Sequence, residues 1–198
     1  AALSARDVEF ARASGALAPL HIALNARGMA VTLCGDFEMA TSLAAEKDVV
    51  NEVTGIRQTT TCDLLLAGYR GRPAGATPLF SAVTEDSIAR GEGCAIQLAD
   101  WAAAVLHNGL GHYAEALAAA EAATEETHQP LATQLILPEL IEAAVRTGQT
   151  EIARKGLERL SAMTAGGAHH PAGPGWPHQP RDCRGTVHQH PHRRMAPP

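Results

Sequence analysis

Residues Asn108 to Ala123 read "NGLGHYAEALAAAEAA", two glycines around a leucine and then a run that is almost pure alanine. Two kinds of structure begin this way. A phosphate-binding loop places its glycines after a strand and before Lys-Ser/Thr or a third glycine, so that backbone N–H groups cradle the anion. A helix–helix corner instead uses one glycine in the left-handed conformation that ends a helix, where no Cβ can clash. No strand pattern precedes Gly109 or Gly111, and no lysine follows them. The residues support a corner. "GYRGRPAGATP", from Gly68 to Pro78, lacks the same lysine and strand and reads as a tight loop.

The corner recurs. "GDFEMA" begins at Gly35, "GRPAGA" at Gly71, "GHYAEA" at Gly111 and "GQTEIA" at Gly148, with spacings of 36, 40 and 37 residues. Each glycine is followed five positions later by an alanine: Ala40, Ala76, Ala116 and Ala153. A small side chain there lets the second helix approach the first, so the spacing predicts helical hairpins that cannot bury their apolar faces alone.

The flanks carry the matching stripes. Leu137, Leu140, Ile141, Ala144 and Val145 fall on one helical face before Gly148, and Ile96, Ala99, Ala103, Leu106 and Leu110 do so before Gly111. After the corners, Ala116, Leu117, Ala120 and Ala123 form one inner face, and Ile152, Leu157, Leu160 and Met163 another. The unit around Gly71 is the weakest, because Pro73 and Pro78 crowd its corner and Thr59-Thr60-Thr61 interrupts its stripe.

Composition agrees. Aromatics make up 4% of 198 residues, so a core must be built from Ala, Leu, Val and Ile at close backbone approach, which suits helices better than sheets. The net charge is −5, and because the last thirty residues hold four Arg and one Asp, the preceding body is more acidic still. Nucleic acid selects basic faces, so direct binding to it is not expected. Cys34, Cys62, Cys94 and Cys183 form no C-x-x-C pair and read as reduced thiols of a cytoplasmic protein. No apolar run reaches membrane-spanning length, and no membrane association is expected. The chain opens at Ala1 rather than Met, as a trimmed protein or a piece of a longer one would.

The Gly-[Asp/His]-[Phe/Tyr]-x-x-Ala pattern at Gly35 and Gly111 resembles the corner of tetratricopeptide repeats. More specifically, "ADWAAAVLHNGLGHYAEALAAAEAA" (Ala99–Ala123) and "LPELIEAAVRTGQTEIARKGLERL" (Leu137–Leu160) resemble the helical-repeat segment of large ATP-binding LuxR-family transcriptional regulators. The likeness extends with lower specificity over most of residues 5–167. It implies a segment that receives a signal and passes it to an ATPase module before it and a helix-turn-helix domain after it. Neither module is present here: no G-x-x-x-x-G-K-[ST] occurs, so no nucleotide-binding residue carries over. A tetratricopeptide-like alignment turns Trp101, Val105 and Asn108 toward a concave face, with Glu142 placed beside them, as a partner-binding surface; for Trp101, packing in the core is the competing reading.

After Gly167 the character changes. Seven of twelve prolines and six of ten histidines lie in the last thirty residues. Prolines forbid a continuing helix, and nothing there can hold an apolar face. The run reads as GC-rich DNA translated out of frame, or as a disordered tail. "HQHPH" (His188, His190, His192) would grip a transition metal only adventitiously, since structural zinc sites need fixed spacing and usually thiolates.

Other constellations carry no chemistry. Glu125 and His128 have the i, i+3 spacing of di-iron bundles but lack the second pair. His107 and His112 are five apart across a glycine corner and do not share a helix face. No G-x-S-x-G marks a hydrolase. The sequence therefore predicts an all-α, right-handed solenoid of about four tetratricopeptide-like hairpins over residues 1–167, and a disordered Pro/His/Arg-rich tail over 168–198. It predicts no catalytic, metal or cofactor site. The expected partners are another protein or other modules of the parent regulator, with self-association through the terminal repeat. The alternative is a free-standing tetratricopeptide-like scaffold that binds a partner protein or peptide.

Overall fold

A computed structural model describes residues 2–56, 60–125 and 130–167. Among these the chain is all-helical, without strands. The helices are α1 (Ala2–Ser14), α2 (Leu17–Leu33), α3 (Phe37–Thr54), α4 (Thr61–Tyr69), α5 (Pro73–Arg90), α6 (Gly93–Leu110), α7 (Tyr113–Glu125), α8 (Pro130–Arg146) and α9 (Thr150–Gly167). The tail, with its histidines and Cys183, lies outside the described residues, as do Thr59 and His128.

Gly35, Gly71, Gly111 and Gly148 have φ of 81°, 63°, 76° and 75°, the left-handed region that glycine alone enters freely. Three further glycines behave alike: Gly15, Gly55 and Gly91, at 66°, 74° and 71°, end α1, α3 and α5. The same device thus closes helices between the predicted hairpins as well as within them. At Gly111 the geometry is a Schellman turn, in which His112 N–H donates to His107 O at 2.9 Å and Gly111 N–H to Asn108 O at 3.0 Å.

The residue after each corner glycine then starts the next helix. Asp36 O, His112 O and Gln149 O accept from Ala40, Ala116 and Ala153 N–H at 3.0, 3.0 and 3.2 Å. That i→i+4 bond is the physical cause of the five-residue spacing. It delivers an alanine to the first turn that faces inward, and Ala40, Ala76, Ala116 and Ala153 are all buried.

The helices form two rows. α2, α4, α6 and α8 pack on one another in succession, and each odd-numbered helix lies against the even-numbered helices that flank it in sequence. Among the described residues no two odd-numbered helices pack backbone to backbone; α1 and α3 meet at their surface, where the Arg12 guanidinium donates to both Glu46 carboxylate oxygens at 2.8 and 2.5 Å. Even helices must therefore be apolar around much of their circumference. α4 buries Cys62, Leu64, Leu65, Leu66 and Gly68, whereas α3 buries only the stripe Ala40, Leu43, Lys47 and Val50. Glycines admit the closest approaches in the even row. A Cβ at Gly28 would lie 2.3 Å from Cys62 Sγ, and one at Gly68 would lie 2.7 Å from Ala102 O.

Three sequence expectations are corrected. Val145 and Leu157 are exposed, at 59% and 56%, because α8 and α9 meet elsewhere: Gly156 lies against Ile141, its would-be Cβ 3.0 Å from Cγ1. Thr60 does not interrupt a stripe. It is the N-cap of α4, and Asp63 Oδ2 accepts from its N–H at 3.0 Å and from its hydroxyl at 2.9 Å. Pro73 opens α5 at its first turn, where the missing N–H costs nothing.

Candidate functional site

The residues placed on a concave face divide. Trp101, Val105 and Asn108 are buried at 2%, 5% and 9% exposure, so they are core of the even row and offer no open surface to a partner. The reason is the position of α6, which packs against α4, α5, α7 and α8. Trp101 is wholly enclosed, and its Nε1 finds no hydrogen-bond acceptor among the described residues. Glu142 alone stays exposed, 3.7 Å from Arg146.

Asn108 instead ties α6 to α8. Its Nδ2 donates to Glu139 O at 3.0 Å and to Glu139 Oε2 at 2.9 Å. Burial pushes the Glu139 carboxyl up, the Asn108 bond opposes this, and Glu142 adds repulsion. Burial first, and the Glu139 charge second, raise the Tyr69 hydroxyl. Tyr69, Asn108, Glu139 and Glu142 thus form a polar seam from α4 over α6 to α8. Tyr69 and Glu142 are its exposed ends.

An open pocket of about 350 Å³ lies on the opposite flank of α6, between it and α5. Thr77, Phe80, Ser81, Thr84 and Glu85 line it from α5, and Ala99, Asp100, Ala103 and His107 from α6. Burial raises the Asp100 carboxyl, and His107 Nδ1 is buried without a partner. The Gly111 corner folds His112 back so that its ring centroid is 6.0 Å from that of His107. The sequence argument from helix faces missed this pairing, since the corner and not a shared face brings the rings together. Among the described residues no three His, Cys, Asp or Glu side chains converge to hold a metal.

A third polar cluster had no sequence signal beyond a lysine on an apolar stripe. Lys47, its side chain 2% exposed, pairs with Asp63 of α4 and with Asp48 at 3.1 Å. Close by, Asn25 Oδ1 accepts from Cys62 N–H at 3.0 Å. Burial pushes the Cys62 thiol up to about 11, the opposite of what a nucleophilic cysteine needs. These groups satisfy one another and leave no open position for a substrate. No helix among the described residues is long and apolar enough to cross a membrane.

No protein-family model, curated protein or solved structure matches the chain.

Proposed function

We propose that the chain is the regulatory, protein-interaction helical-repeat segment of a LuxR-type transcriptional regulator. In this reading the hairpins α2–α3, α4–α5, α6–α7 and α8–α9 build a short right-handed solenoid of tetratricopeptide-like repeats, placed in the cytoplasm with the DNA it regulates. The observation that supports it is the even row: each hairpin contributes one helix to a continuous stack, and each corner is closed by a left-handed glycine. Such stacks present extended surfaces to other proteins. The seam of Tyr69, Glu139 and Glu142, exposed at Tyr69 and Glu142, is one part of the even row open to a partner.

The chain alone binds neither ATP nor a specific DNA sequence in this reading. The test is the DNA that flanks its coding sequence, which should encode a P-loop module upstream and a helix-turn-helix downstream. The recombinant P-loop module should then bind this chain saturably by calorimetry. Flanks without these modules overturn the reading and leave the free-standing scaffold; saturable nucleotide binding by the isolated chain overturns both.

A further inference from the structure

One face of α6 departs from the other even helices. Four residues before the corner glycine stand Val31 of α2, Ala67 of α4 and Ala144 of α8, but His107 of α6. Eleven residues before it, α2 and α8 carry Leu24 and Leu137, 1% and 0% exposed, and the shorter α4 has its capping Thr60. In α6 that position is Asp100. An imidazole and a carboxylate thus stand where α2 and α8 bury aliphatic groups, and both line the open pocket between α5 and α6.

The opposite wall is polar as well. Thr77, Ser81 and Thr84 of α5 recur at i, i+4 and i+7 along it, with Glu85 next. α5 and α6 run antiparallel on either side of Gly91, so the pocket has two unlike ends. Glu85 and Asp100 lie about two turns from that junction, whereas Thr77 and His107 lie about four turns from it. Phe80, Ala99 and Ala103 supply apolar surface between them.

The acidic end has no countercharge. The lining includes two carboxylates and no Lys or Arg, and burial raises the Asp100 carboxyl with no neighbouring charge opposing it. At the other end His107 Nδ1 is buried with no hydrogen-bond partner among the described residues. A bare metal ion does not suit this place, because no three ligating side chains converge among the described residues. An ammonium does, since its three N–H donors can be shared between two carboxylates.

We infer that the α5–α6 pocket binds a small organic amine whose apolar body ends in a hydroxyl group. The ammonium lies between Glu85 and Asp100, the body lies on Phe80, Ala99 and Ala103, and the hydroxyl meets His107 Nδ1. A hydroxyl both donates and accepts, so it satisfies either imidazole tautomer. Two turns of α6, about 10 Å of rise, separate Asp100 from His107. The two polar ends of the ligand are therefore a little closer together than that, as they are across tyramine. The pocket, about 350 Å³, is of small-ligand size. The inference is independent of the LuxR reading, and neither falls with the other.

The probe is tyramine, titrated calorimetrically into the full chain. Saturable one-to-one binding at sub-millimolar concentration is expected. Phenethylamine, which lacks the hydroxyl, should bind about tenfold more weakly, and 4-ethylphenol, which lacks the amine, should not bind. Asp100→Asn should weaken tyramine about tenfold or more without lowering the melting temperature, and Glu85→Gln, at an exposed site, should weaken it in the same direction. His107→Phe should erase the preference for tyramine over phenethylamine. Glu115→Gln, exposed on α7 and outside the pocket, should change nothing. No saturable binding of tyramine at millimolar concentration overturns the site. So does binding that 4-ethylphenol matches, or that is indifferent to both carboxylate variants.

Discussion

The α6–α7 corner and the α3–α4 junction join consecutive helices by opposite means. At Gly111 two residues reverse the chain, and alanines with no side-chain freedom to lose fill the contact. Ala116, Ala120 and Ala104 are all fully buried there. Between α3 and α4 the contact is made by a buried lysine, two aspartates and a capping threonine. The first joint tolerates no added volume, and the second tolerates no lost charge. A helical stack can thus be tightened by small residues or fixed by a satisfied polar cluster, and one chain uses both.

Their difference is sharpest at Asp63. Asp63→Ala should cost about 3–5 kcal/mol in urea unfolding, because it strips a buried ammonium of a partner and the α4 cap of its acceptor. Replacing the pair together, Lys47→Met with Asp63→Leu, should recover much of that loss. A single variant as stable as the double would show that the cluster is ornamental. Ala116→Leu comes next. Overpacking a fully buried site should cost roughly 1–3 kcal/mol, while Ala118→Leu on the exposed side should leave the thermal melt unchanged.

Smaller again is the corner glycine. Gly111→Ala meets no atom but holds an L residue at φ 76°, a cost of roughly 1–2 kcal/mol. Gly109→Ala, two residues away on the helix and equally unobstructed, should stabilise by about 0.5–1 kcal/mol. Like signs for the two would break the corner assignment. The smallest effect belongs to Asp100, in neither joint. Burial raises its folded-state pKa above the unfolded value, so the folded chain holds that proton more tightly. This contribution is full below the unfolded carboxylate range and is lost as pH rises through the folded value. Asp100→Asn should therefore melt slightly higher than the parent at pH 7, with the gap closing by about pH 4. A gap that widens toward acid would refute the desolvation.

The same contrast explains what could be read from sequence. The Gly-to-Ala spacing was legible because a single i→i+4 bond across a two-residue turn generates it. Gly15, Gly55 and Gly91 share the left-handed conformation but are followed five residues on by Leu20, Thr60 and Ile96, so the alanine signal did not reveal them. The burial of Trp101, Val105 and Asn108 was not legible, because it depends on how closely α4 and α8 flank α6. Gly28 and Gly68 set the α2–α4 and α4–α6 approaches from within their helices, where a glycine is ordinarily read as a weakness. The role of Lys47 had no sequence signal, because its partner Asp63 lies sixteen residues on. Polar contacts across that distance have no period to read.

The two-residue corners also set a tempo. Each described helix has its packing partners among helices at most two places away in the chain order. Closing such short connections gives up little chain entropy, and local topologies of this sort cross their folding barriers on the order of microseconds to milliseconds. Structure can then nucleate in any hairpin and spread to its neighbours, so a growing polypeptide can consolidate α1 to α3 before α9 has been synthesised.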